Sequence, residues 1–311
     1  MFRNIKILGI ILFFLAPLLT IAQRLKFEKK SDGILLVEND APRYFYRTSV
    51  LDTVNPFART NYIHPLYGLN GEVLTEDFPE DHPHHHGIFW AWHQLYVEGK
   101  RIADPWMNEG LEWDVLNTHT EVKDKTAILY SEIYWRSKSN YEAVIKENLT
   151  ISFQRIDEDI YSLNFSIKLT ALVDGIALGG SEDPKGYGGF SPRLRLPEEV
   201  VFISSNSIVE PEDLPVQVGP WMNLSGVFDS SSNEVSGVVI MGEPEKLPSY
   251  QGWILRSTNS MQNMAFPGKT PIPIEKEKPL IFRNQLLIHR ELNSREIDTF
   301  YREFQKSGAS E

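Results

Sequence analysis

The 311-residue chain has no cysteine. Disulfides are thereby excluded, as is a lipid anchor on an amino-terminal cysteine, so stability has to come from packing. Beyond the amino-terminal segment no apolar run is long enough for a spanning helix. Basic residues are in deficit, 31 Lys and Arg against 42 Asp and Glu, a formal net charge of −11. A surface of that sign repels nucleic acid and anionic lipid, so no nucleic-acid partner is expected. No long internal repeat, low-complexity tract or Pro/Gly/Ser-rich linker divides the chain.

What is present begins with a leader. Arg3 and Lys6 precede an apolar stretch over residues 7–21, and Thr20-Ile21-Ala22 before Gln23 has the small-residue pattern of a cleavage site. Residues 1–22 therefore read as a signal peptide, with Pro17 ill placed for a retained span. The mature protein, residues 23–311, is expected to be periplasmic or secreted, with no stable membrane anchor after cleavage. Loss of Arg3 and Lys6 takes its formal charge to −13.

Hydrophobicity alternates with period two. Ile145, Glu147, Leu149, Ile151 and Phe153 share one face and Lys146, Asn148, Thr150, Ser152 and Gln154 the other. After a turn at residues 155–159, Tyr161, Leu163, Phe165, Ile167 and Leu169 alternate with polar residues in the same way, which predicts an antiparallel hairpin with one wet face. Further strands are expected at 25–29, 33–37, 44–48, 112–122, 126–135, 200–204, 235–241, 252–256 and 280–289. Many short strands separated by turn signals predict an all-β fold, a large antiparallel β-sandwich in a single domain. One short helix closes the chain: Ser294 can cap it, and Ile297, Phe300, Tyr301 and Phe304 fall at helical spacing.

Four of the eight histidines stand in Asp81-His82-Pro83-His84-His85-His86-Gly87, between Tyr62-Ile63-His64-Pro65 and Phe89-Trp90-Ala91-Trp92-His93. Imidazoles beside carboxylates and indoles suit proton transfer, metal ligation or the gripping of a sugar ring. An extended segment would turn His82, His84 and His86 to one face and His85 to the other. Acid–base work on a sugar would use His82, His84 and His86 with Glu76, Asp77 or Asp81 as carboxylate, and Trp90, Trp92, Trp106 or Trp113 as stacking platform. A divalent metal held by His64, His82, His84 and His86 is the alternative; otherwise no cofactor is expected. The glutamate that follows His-x-His in cupin sites is missing, since Ile88 and Phe89 stand downstream. Structural histidines bonded to backbone carbonyls are the third possibility.

Residues 175–190 read as a long functional loop. Within Lys185-Gly186-Tyr187-Gly188-Gly189-Phe190-Ser191-Pro192-Arg193-Leu194-Arg195, glycines permit close backbone approach while Tyr187, Arg193 and Arg195 can donate to ligand oxygens. The third glycine and βαβ setting of a dinucleotide fingerprint are absent. Gly219-Pro220-Trp221-Met222-Asn223 reads as a rim loop offering Trp221. His64, Trp90, Trp92, Tyr187, Arg193, Arg195 and Trp221 are thus the candidate binding residues, and a carbohydrate or other small molecule the expected partner.

Tyr62-Ile63-His64-Pro65-Leu66-Tyr67, Leu74-Thr75-Glu76-Asp77-Phe78-Pro79, the histidine run and Gly186-Tyr187-Gly188-Gly189-Phe190 resemble the signature blocks of an exported bacterial family of uncharacterised function, often labelled methane oxygenase PmoA. The resemblance spans nearly the whole mature chain. It does not imply methane oxidation, because the methane monooxygenase subunit of that name is a multi-helix integral protein and this chain reads as strands. His86 stands where the family commonly has arginine, which favours His84 over His86 as an acting residue. More faintly, the histidine segment is similar to that of galactose mutarotases. That likeness implies a galactose mutarotase-like supersandwich with a histidine acid and a distant glutamate base; Glu243, Glu275 and Glu277 are the options. The function expected is an exported carbohydrate-active protein acting on a sugar or glycoside by His/carboxylate acid–base chemistry. The alternatives are a metal-dependent oxidoreductase or hydrolase, and a non-catalytic carbohydrate-binding or envelope protein.

Overall fold

Residues 145–154 and 161–170 form the hairpin that their alternation requires. In the computed structural model, which describes residues 24–50, 55–205, 207–258 and 261–308, the strands Ala143–Arg155 and Ile160–Ala171 pair from Ile145 opposite Ala171 to Arg155 opposite Tyr161. The leader, residues 1–22, lies outside the described residues. Inward-pointing Leu149, Ile151, Phe153, Leu163, Phe165 and Ile167 are buried. Each such side chain stabilises the fold by about 1.5–3 kcal/mol on leaving water.

This hairpin is the middle of a nine-stranded sheet. In spatial order it runs Ser207–Ile208, Val201–Ser204, Trp221–Gly226, Ser236–Gly242, Leu280–His289, Ile160–Ala171, Ala143–Arg155, Thr126–Ser137 and Leu111–Lys123. Facing it is a six-stranded sheet ordered Leu25–Lys29, Gly33–Glu38, Ala41–Arg47, Tyr62–Leu66, Ile88–Trp92 and Gly188–Pro192. Both contribute to one apolar core, in which Tyr44, Ile63 and Trp90 from the smaller sheet meet Trp135, Ile151 and Phe165 from the larger. Every pairing among the described strands is antiparallel, which makes this the expected all-β sandwich. A four-stranded sheet with Gln94–Val97 and Lys100–Ala103 and a small ribbon, Gly252–Ile254 with Asn263–Ala265, flank the site end.

The helix spans Ser294–Ser307, but its cap is Asn293, one residue before the expected Ser294. Asn293 Oδ1 accepts from the N–H groups of Arg295 and Glu296 at 3.0 and 3.2 Å, and Glu296 returns a bond to the Asn293 N–H at 2.9 Å. Ile297 and Phe304 close over Trp221, Val239, Met241 and Leu287. Val238 and Ile240 belong to the inter-sheet core, so the helix covers the opposite face of the large sheet.

Two stretches differ from the sequence expectation. Trp221–Gly226 is an interior strand of the large sheet and not a rim loop. Residues 175–190 are not one loop: they contain the strand Ala177–Gly179 and the start of the strand Gly188–Pro192.

Candidate functional site

The histidine run does not extend. His82 N–H closes a turn on the Pro79 carbonyl at 3.1 Å and His85 N–H closes another on the His82 carbonyl at 2.9 Å. Pro83, which cannot join a ladder, sits between them. The turn reverses the expected facing: His82, His84 and His85 gather in one group, and His86 points into the interior. Gly87 makes this possible. Its φ is +34°, and a Cβ there would stand 1.9 Å from the Ile63 carbonyl oxygen, so only glycine lets the run descend so close to the neighbouring strand.

His82, His84, His85, His93, Trp106 and Tyr187 line a cavity of about 380 Å³, with Ser181, Asp183, Lys185 and Arg256 around it. Its imidazoles pack ring to ring. His82 lies parallel to His85 at 4.8 Å between centroids, and His84 meets His85 edge-on at 4.6 Å. Two of the imidazoles are held by carboxylates. His82 Nδ1 is 2.8 Å from Asp81 Oδ2, and Arg193 donates to Asp81 Oδ1 at 2.8 Å and to Glu76 at 2.8 Å. His93 Nδ1 is 3.0 Å from Asp104 Oδ2, its ring stacks on Trp106 at 5.2 Å, and Arg101 braces Asp104 at 3.2 Å. With Nδ1–H given to the carboxylate, each ring leaves Nε2 as an acceptor for a ligand proton.

His84 lies within electrostatic range of both dyads. Burial pushes its pKa down to about 4, and positive charge on His82 or His93 would push it further, against the pull of Asp104. Burial holds His85 lower still, at about 2. Both rings are therefore neutral at pH 7, and His84 can accept a proton but is a poor resting acid.

The other expected residues lie elsewhere. His86 is fully buried, with Nδ1 2.8 Å from Asp77 Oδ1 and Tyr62 donating to Asp77 Oδ2 at 3.0 Å; burial lowers its pKa. His64 bonds Thr75 at 3.0 Å, and burial brings its pKa to about 4. The four proposed metal ligands are thus divided, His82 and His84 at the cavity and His64 and His86 inside. Among the described residues no three His, Asp or Glu side chains are grouped to hold a metal ion.

Trp90 and Trp92 are core residues and not platforms. Trp90 donates to Glu147 at 2.9 Å and Trp92 to the Phe266 carbonyl at 3.0 Å, both fully buried. Trp113 packs under the Arg59 guanidinium at 3.8 Å, away from the cavity. Trp221 sits beneath the helix, donating to Asp298 at 2.9 Å. Arg195 is exposed, and Arg193 acts through Asp81 and Glu76 without lining the cavity. Glu243 is tied to Lys246 at 2.7 Å and Arg283 at 3.4 Å, and neither it nor Glu275 or Glu277 lines the cavity.

Sequence reasoning missed His93, Asp104, Lys185 and Arg256. The strip ending at His93 and the Asp104-Pro105-Trp106 turn eleven residues on was the available signal; nothing local marked Arg256. A larger groove of about 450 Å³ lies between the large sheet and the helix, lined by Ser152, Asn164, Gln285 and Phe300 among others, with no imidazole among the described residues that line it.

Residues 35–302 match DUF6807, described as a family of unknown function. The chain belongs to this family. No curated protein matches the sequence. Among solved structures the chain is similar to a candidate mutarotase (YeaD) from Salmonella typhimurium, at 8% identity and a TM-score of 0.31, covering 86% of this chain and 94% of that one. It is also similar to the GalM/aldose epimerase homologue from C. elegans, at 7% identity and a TM-score of 0.31, covering 87% and 100%.

Proposed function

We propose that this DUF6807 protein is an exported carbohydrate-active protein that performs acid–base chemistry on a sugar in the histidine cavity. The observation that carries the reading is the neutral His84 between two carboxylate-oriented histidines, all three opening on one cavity. Acid–base chemistry on a pyranose needs one group to take a hydroxyl proton while another returns a proton to a ring or glycosidic oxygen. Neutral His84 suits the first task. His82 and His93, each oriented by a carboxylate at Nδ1, are the partners for the second. A volume of about 380 Å³ is in the range of small-ligand sites, and Trp106 and Tyr187 give it a flat apolar wall beside hydrogen-bonding groups.

The test is to incubate the protein beginning at Gln23 with a panel of mono- and oligosaccharides and follow anomeric, epimeric and cleavage products by NMR. His84→Ala and His93→Ala run in parallel, with melting temperatures confirming the fold. Turnover that both substitutions abolish supports the reading. Saturable binding without product assigns the cavity to a binding protein, and no interaction with any sugar refutes a carbohydrate site.

A further inference from the structure

The charges around the cavity narrow the class of sugar, an inference that rests on the sugar reading above. Arg256 forms no ion pair among the described residues. Its Nη1 donates to the carbonyls of Glu212 and Leu255, both at 2.7 Å, and its Nη2 to the Asp213 carbonyl at 3.1 Å and the Tyr187 hydroxyl at 3.0 Å. Carbonyls fix this guanidinium without neutralising it.

The bond to Tyr187 has a directional consequence. A phenol oxygen that accepts from a guanidinium must send its own hydrogen elsewhere, and no protein acceptor takes that hydrogen among the described residues. Tyr187 lines the cavity, its ring 5.7 Å from Trp106, so the hydrogen is available to a ligand oxygen. Lys185 adds a second cation. Its Nζ lies 5.9 Å from the Tyr187 ring centroid, and it too has no ion pair among the described residues.

Opposing groups are few. Among the described residues Asp183 is the one carboxylate that lines the cavity; its Oδ1 already accepts from the Ser181 hydroxyl at 3.0 Å and the Lys185 N–H at 2.8 Å. Asp81 and Asp104, behind the dyads, are engaged by Arg193 and Arg101. Across a chain of net charge −11, most buried or half-buried arginines, among them Arg43, Arg47, Arg155, Arg193 and Arg283, are matched to carboxylates. Two unmatched cations at the mouth of one cavity depart from that pattern.

We propose that the cavity takes a sugar bearing a carboxylate, a uronic acid or a short uronate oligomer, with its carboxylate seated between Lys185 Nζ and the Tyr187 hydroxyl. Arg256 is a positioning residue: it orients the phenol and leaves positive charge behind it. A phosphate is the poorer fit, since the terminal N–H groups of Arg256 are committed to protein oxygens and one lysine with one hydroxyl leaves most oxygens of a dianion unserved.

The experiment is calorimetric titration with galacturonic acid and its short oligomers against galactose and galacto-oligosaccharides, and with glucuronic acid against glucose, using galactose 1-phosphate as the phosphate arm. Wild type, Lys185→Gln, Tyr187→Phe and His84→Ala are compared, with melting temperatures as the folding control. We expect each uronate to bind at least ~10-fold more tightly than its neutral counterpart, a preference that falls as salt rises. Lys185→Gln and Tyr187→Phe should bring that ratio toward one. Equal affinity for uronate and neutral sugar, or preference for the phosphate, overturns this inference while leaving the sugar reading in place. Failure of every sugar to bind overturns both.

Discussion

His82 and Arg193 meet on the same carboxylate, each 2.8 Å from its own oxygen of Asp81. Burial would raise the Asp81 pKa, but the His82 hydrogen bond and the Arg193 guanidinium outweigh it and hold the carboxyl below its ordinary value. Asp81 is thereby ionised at neutral pH and fixes the His82 tautomer with Nε2 outward. Asp81→Asn should lower turnover or ligand affinity by about 10–100-fold. Its melting temperature should stay near that of the wild type, because Asp81 lies at the surface. A variant with unaltered affinity would remove the His82 dyad from the site's chemistry.

The buried Glu147 yields a stability prediction. Its Oε1 accepts from Asn61 at 3.0 Å and Trp90 at 2.9 Å, and its Oε2 from Trp135 at 2.7 Å. Burial raises its pKa despite these donors and the nearby Arg59. Glu147→Leu leaves two indole N–H groups and an amide unpaired beside a buried cation, which should cost about 3–5 kcal/mol. Adding Arg59→Met should recover part of that loss in a double-mutant cycle. Additive losses in urea denaturation would show that the two do not interact.

Acid should destabilise the protein through its neutral histidines. Burial lowers His64 and His84 to about 4 and His85 to about 2, from 6.5 in the unfolded chain. Above pH ~6.5 both states are neutral and nothing is lost. As pH falls below that, the unfolded chain takes up protons that the folded protein refuses, and stability declines down to the folded pKa values. Glu147, with its raised pKa, works in the opposite sense and is separated by repeating the titration in Glu147→Gln. Urea midpoints at pH 7.5 and 5.0 check the sign: the lower pH should give the lower midpoint, and a flat profile would contradict it.

At the far side of the large sheet, Trp221→Ala should cost about 3–5 kcal/mol by emptying the space beneath the helix. Asn293→Ala should cost ~1 kcal/mol through the lost cap. Neither should change ligand affinity, since Trp221 and Asn293 are absent from the cavity lining. A marked affinity loss in either variant would tie the helix to the site.

The architecture was readable wherever one sheet face is wet. The hairpin at residues 145–169 and the strand at Leu280–His289 alternate cleanly, and their registers follow. Ile88–Trp92 and Trp221–Gly226 were not readable, because a strand covered on both sides loses its alternation; the same burial turned Trp90, Trp92 and Trp221 from apparent ligand platforms into core. At the site, the clustering of histidines survived but its facing did not, since a turn reverses the alternation that an extended segment would impose. His93 with Asp104 and Tyr187 with Arg256 are pairs 11 and 69 residues apart in sequence, joined only by tertiary packing.

Metal analysis gives a separate check on the acid–base chemistry. The protein from Gln23, exported without a polyhistidine tag, should keep its ligand affinity after exhaustive chelation. Stoichiometric Zn, Fe or Cu, lost together with affinity in His82→Ala and His84→Ala, would replace proton transfer with metal chemistry at the same cavity.

The most direct measurement is sugar turnover by wild type and His84→Ala across pH 5–8, with binding followed in parallel. We expect turnover to vanish in a folded His84→Ala protein that still binds ligand, and His84, neutral throughout this range, to impose no pH dependence of its own. Full turnover in His84→Ala would contradict the central claim that this imidazole handles the proton.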